Sequence, residues 1–259
     1  MAGMPIRLTK TIKILMITCF AVFLIQQTAD QFFGANLLGI FGLVPSGFVQ
    51  DHRVWQLFTY AFLHGDVLHL FMNLLMLAFI GGEIEAAWGV ARFLRYYFFC
   101  SVSAGLLYLF LQVVVRGDLH TPMIGASGAI YGLLMAYGLM FGERVMLFML
   151  LFPLKAKHFV WVLALIEFMT TVFSGRGGLA SAAHLGGMAA GFGYLWAKTR
   201  FKIAKKGSAK GDRFGLSSQK AAKRKSKKKN HLKLVIDNER EETQEQSHDD
   251  DSQDPKTWH

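Results

Sequence analysis

Six stretches of this chain, at roughly 11–28, 67–82, 93–115, 123–142, 158–174 and 178–198, are apolar for about the length that a lipid bilayer demands. A spanning helix needs about 20 such residues, because each residue rises ~1.5 Å across a hydrocarbon layer ~30 Å thick. The second stretch is short but extends upstream through Leu63. Gln26 and Gln27 follow the apolar run of the first stretch without a small-residue cleavage pattern, so it reads as a retained span and not as a signal peptide. The pattern predicts an all-α, polytopic membrane protein with six transmembrane helices.

Charge divides the 259 residues in two. Residues 1–198 carry 12 Lys/Arg and 8 Asp/Glu, whereas 199–259 carry 16 and 10. Only 18% of the whole chain is charged and 53% is hydrophobic, which excludes a soluble globular enzyme. Residues 1–198 are therefore expected to form the membrane domain. Residues 199–259 are expected to be a disordered, charged tail, with 13 Lys/Arg between Arg200 and Asn230 and nine acidic residues between Asp237 and Asp254. The basic block suits anionic lipid headgroups. It lacks the interleaved aromatics and folded reader that nucleic-acid binding would need, so no nucleic acid is expected. Cys19 and Cys100 lie in apolar runs and read as small buried hydrophobes, not as a disulfide framework.

Two further segments are apolar without being spans. Residues 29–66 hold Phe32, Phe33, Leu37, Leu38, Ile40 and Phe41, broken by Gly34, Gly39, Gly42, Pro45 and Gly47. They read as a structured element half-sunk in the membrane surface, too glycine-rich for a good helix. Residues 145–154 suit an interfacial or re-entrant stretch. Lys and Arg cluster before span one, between spans two and three, between four and five, and after six. That bias predicts both termini in the cytoplasm of a cell (inner or plasma) membrane. Spans two, four and six then all begin at the outer face.

Each of those three entries carries a polar cluster, and intramembrane polar residues are costly enough to suggest function. At span four the run is Gly125-Ala126-Ser127-Gly128, with Tyr131 one turn on. A serine at a helix start has free backbone N–H groups beside it, suited to an oxyanion. Span six opens with His184, and Gly187 and Gly191 lie on its side of the helix. Those glycines allow close approach to another helix. If that helix is span four, His184 is a base for the Ser127 hydroxyl and Tyr131 can stack on its ring. No aspartate is placed to orient His184, and Glu167 lies mid-span on five, where a hydrogen bond to a neighbouring helix is expected. A Ser–His dyad follows, not a triad. Span two is preceded by His64 and carries His69 and Asn73, stacked at i and i+4 as oxyanion donors. A zinc site of His64, His69 and His184 is the rival, but it lacks an H-E-x-x-H pairing and a carboxylate base. No metal or cofactor is expected.

The order His-x4-His-x3-Asn at 64–73, Gly-x-Ser-Gly-x3-Gly at 125–132 and Ala-His-x2-Gly-x3-Gly at 183–191 resembles the rhomboid intramembrane serine proteases over roughly residues 10–198. The resemblance implies Ser127 as nucleophile and His184 as general base and acid. It also implies an oxyanion hole from the Ser127 backbone N–H, His69 and Asn73, and transmembrane proteins as substrates. Gly81, Gly82 and Glu85 match the family's Gly-Gly-x-x-Glu pattern. One departure is in the first loop, where the family's Trp-Arg pair reads Trp55-Gln56 and Arg53 stands nearby as a substitute. The alternative class is a non-catalytic relative that binds membrane clients. Such relatives typically lack the serine or the histidine, and both are present here.

Overall fold

The computed structural model of the chain describes residues 7–148, 152–174 and 178–201. Two units divide it, Met1–Lys198 and Thr199–His259. Of the charged tail all but residues 199–201 lie outside the described residues, so the expectation of disorder falls there, as does Arg176.

The first unit is a multi-pass membrane protein built almost wholly of helices. Among the described residues four helices are long and apolar enough to cross a bilayer: α1 (Lys10–Phe33), α5 (Val67–Trp88), α6 (Val90–Arg116) and α8 (Ala156–Phe173). A shorter apolar helix is α7 (Ser127–Met140), and residues 178–201 form a further helix, α9. Thr9 caps α1 by accepting the Ile12 N–H, and Gly34 ends it in the left-handed region at φ 61°. The helix outruns the expected 28 because Gln26 and Gln27 donate to the carbonyls of His64 and Gly65. The buried Gln26 amide and the half-buried Gln27 amide thereby carry the helix past its apolar run. Asp66 starts α5 by accepting from His69 N–H. The helix widens into a π-type turn over Leu77–Gly81.

The loop between α1 and α5 differs from expectation. It contains three short helices, α2 (Leu37–Phe41), α3 (Pro45–Val49) and α4 (Gln56–Thr59), then a 3₁₀ turn at Tyr60–Phe62. The glycines punctuate these helices instead of preventing them. Fully buried Gln56 organises the loop: its amide donates to Gly39 and Ile40 carbonyls and accepts from Val44 N–H. Arg53 also donates to the Gly39 carbonyl. Gln56 and Arg53 thus both hold the Gly39 carbonyl.

Helix α7 sits at the centre. Ser127, Gly128, Ala129, Ile130, Gly132, Leu133, Leu134, Ala136 and Tyr137 are all buried, so it is enclosed on nearly every side. It starts at 127 and not at 123 because Met123 pairs with Leu43 of the first loop through both backbone bonds. At 14 residues it is ~21 Å long, short of the ~30 Å hydrocarbon layer. Within the stretch read as interfacial or re-entrant, the structure shows an antiparallel pair that the sequence reading did not specify, β1 (Val145–Phe148) and β2 (Phe152–Lys155), with Val145 opposite Lys155. At the other end of α5, Glu85 accepts from the hydroxyls of Thr9 and Thr11, tying the start of α1 to the Gly81–Gly82 turn.

Candidate active site

Ser127 is the first residue of α7, reached through Gly125 at φ 110° and Ala126. Its Oγ–H donates to Nε2 of His184 at 2.7 Å. That distance suits proton transfer between hydroxyl and imidazole. The Tyr131 ring stacks on the imidazole at 4.4 Å between centroids and 8° between planes. His184 of α9 thus reaches Ser127 of α7, and Tyr131 lies flat against the imidazole.

The approach of α9 to α7 depends on Gly187. A Cβ there would strike the Gly128 carbonyl, so the two backbones touch. Gly191 does not face α7, contrary to expectation. A Cβ on it would meet the Tyr96 hydroxyl and Cys100 Sγ of α6. One turn further along α9 the neighbour has changed, because α6 wedges in below the site. Gly128 and Gly132 likewise face α6, at Ala104 and Cys100.

His69 and Asn73 lie one turn apart on α5 and both look toward Gly125. An added Cβ on Gly125 would stand 2.6 Å from His69 Nε2 and 3.6 Å from Asn73 Nδ2. Asn73 is buried, and its Nδ2 has no protein partner among the described residues. An unpaired buried donor is costly, so it marks a place where an acceptor is expected. Positive φ and lack of room together require glycine at 125.

His64 is fully buried and stands behind His69, ring edge to ring face at 5.1 Å. Its Nδ1 bonds the Phe62 carbonyl, and burial pushes its pKa down to about 4, helped by the neighbouring His69. It is therefore neutral and braces His69. Among the described residues no three His, Cys, Asp or Glu side chains converge as metal ligands would.

Glu167 corrects the expectation that no carboxylate orients the histidine. From α8 its Oε1 accepts from His184 Nδ1 at 3.1 Å and from the Tyr131 hydroxyl. It does bond neighbouring helices, as foreseen, but one of its partners is His184 itself. No motif surrounds Glu167. The signal available was a single carboxylate in an otherwise apolar span.

The rhomboid domain model matches residues 51–201. RHOMBOID-like protein 1 of Arabidopsis thaliana is 34% identical over 147 residues, covering 56% of this chain and 34% of that protein. Rhomboid protease GlpG of Enterobacter sp. (strain 638) is 31% identical over 132 residues, covering 51% and 43%. Inactive RHOMBOID-like protein 8 of Arabidopsis thaliana is 31% identical over 93 residues, covering 36% and 25%. The chain spans less than half the length of each of these curated relatives.

Proposed function

Because this chain belongs to the rhomboid family, we propose that it is an intramembrane serine endopeptidase that cleaves transmembrane proteins near the outer membrane face. The observation that carries the reading is the 2.7 Å contact from Ser127 Oγ to His184 Nε2, with two side-chain donors across Gly125. Ser127 Oγ attacks the scissile carbonyl carbon as His184 Nε2 takes its proton. The oxyanion is held by the Ser127 backbone N–H, His69 and Asn73. Collapse expels the amine, which takes the proton from His184. Water, deprotonated by the same imidazole, then hydrolyses the acyl-enzyme. None of these steps calls for a metal or cofactor.

The shortness of α7 supports cleavage below the outer surface and not at it. With its Met140 end at the cytoplasmic side, Ser127 would sit roughly 10 Å beneath the outer edge of the hydrocarbon layer. An intact substrate helix hides its carbonyls in i to i−4 bonds, so substrates must unwind locally to reach Ser127. Segments with helix-breaking residues near their outer end should therefore be preferred. Both termini in the cytoplasm, and contact of the basic tail with anionic headgroups, complete the proposal. The test is cleavage of a model transmembrane substrate by purified protein in detergent. Wild type should cut it, and Ser127→Ala and His184→Ala should each abolish turnover, since members of one catalytic unit are not additive. Undiminished cleavage by Ser127→Ala would end the assignment.

A further inference from the structure

In the second half of helix α8 the large apolar side chains are mostly exposed. Leu165, Ile166, Phe168, Met169, Val172 and Phe173 are all exposed. The one buried side chain there is Glu167, at 8% exposure. A carboxylate at such depth is costly unless partners repay it. The polar groups facing it are Tyr131 from α7 and Ser181 and His184 from α9. One of its oxygens takes the imidazole Nδ1–H and the tyrosine hydroxyl together.

That geometry has a chemical consequence for the base. With Nδ1–H committed to Glu167, Nε2 carries the lone pair and faces the Ser127 hydroxyl. This is the tautomer that general-base catalysis needs. As the serine proton arrives at Nε2, a positive imidazolium forms in a site of low polarity. A fixed negative charge 3.1 Å away at Nδ1 offsets that cost. The carboxylate stays ionised throughout and the Nδ1 proton stays on the ring. Tyr131 serves both partners, since its ring lies flat on the imidazole while its hydroxyl anchors the carboxylate.

We propose that Glu167 is the positioning residue for His184, making the working unit Ser127–His184–Glu167 drawn from three separate helices. The proposal rests on the serine-endopeptidase reading. It adds that the base is oriented across the α8–α9 contact and is not left to stacking alone.

The experiment compares purified full-length wild type, E167Q, E167D and E167L on a transmembrane substrate in detergent. Glutamine fills the same space and can accept the Nδ1–H, so E167Q should fold normally and bind substrate with KM unchanged. It should lose about a hundredfold in kcat, because only the charge is gone. Aspartate restores the charge, so E167D should recover much of that loss. Leucine keeps apolar packing but should fall furthest. The proton NMR of histidine-labelled protein adds a readout of tautomer: a downfield Nδ1–H resonance present in wild type should vanish in E167L. Wild-type kcat in E167Q, or E167D as impaired as E167L in folded protein, would overturn the proposal. Ser127→Ala separates the two claims. If wild type cuts and Ser127→Ala does not while E167Q matches wild type, the protease reading stands and the Glu167 role falls. If wild type and Ser127→Ala behave alike, both fall.

Discussion

Gly125 is the residue on which the site's geometry turns. Its φ of 110° aims the chain into α7, and the missing Cβ leaves the space into which His69 and Asn73 point. Gly125→Ala combines backbone strain of ~1–3 kcal/mol with a clash on His69, and a shift of only ~1 Å costs about a hundredfold in rate. Its kcat should fall by at least that factor in a detergent assay. Asn73→Ala should cost roughly tenfold to a hundredfold in kcat with little change in KM, because His69 and the Ser127 N–H remain as donors. A different prediction attaches to His64. Its folded-state pKa of about 4 lies below its unfolded value of ~6.5, so between those pH values the unfolded chain binds the extra proton. Stability should therefore be complete above pH ~6.5 and decline by up to ~3 kcal/mol as pH falls to about 4. Denaturation midpoints in detergent across that range, flattened in His64→Gln, are the check. At this scale the contacts of Ser127 and Tyr131 with His184 and the placing of His69 and Asn73 beside Gly125 could be read from spacing, since each residue lies in a local pattern of small and polar residues. Glu167 could not, because its partners are 17 and 36 residues away and nothing beside it in sequence announces them.

Helices place these side chains, and helix contacts decide which glycines matter. Gly187→Val should inactivate by driving α9 off the Gly128 carbonyl, separating His184 from Ser127. Gly191→Val acts on another interface, against Tyr96 and Cys100, so it should lower thermal stability first and activity through it. Gly193 has nothing within 4 Å of an added Cβ, so Gly193→Ala should leave both unchanged. Melting temperature and turnover measured side by side distinguish the three. Periodicity put Gly187 and Gly191 on the face of His184, but it carries no information on where one neighbouring helix gives way to the next. The same limit applies to the start of α7. Apolar content runs smoothly from 123, and the backbone is held extended there by Leu43, 80 residues earlier in the chain. The β1–β2 pair was missed for a related reason, since apolar run length alone does not separate a strand from a surface helix.

At the scale of the molecule, every residue assigned to the site lies in Met1–Lys198. Truncation after Arg200 should leave proteolysis in detergent within about twofold of full length, since a tail of this composition cannot bury a core of its own. In liposomes the two forms should diverge when anionic lipid is present and coincide in neutral lipid. A large loss in detergent would place the tail within the catalytic fold. Fold class was readable in the chain because a bilayer leaves few ways to satisfy a backbone, so length and hydropathy alone select helices. Packing of those helices around α7 was not, because it is set by small residues meeting across long sequence separations.

The central claim is that His184 makes Ser127 a nucleophile. Its most direct test is mass-spectrometric mapping of a fluorophosphonate adduct on full-length protein in native membranes. One adduct is expected, on Ser127, formed in wild type and absent in His184→Ala. An unlabelled Ser127, or labelling that proceeds equally well without His184, would contradict it.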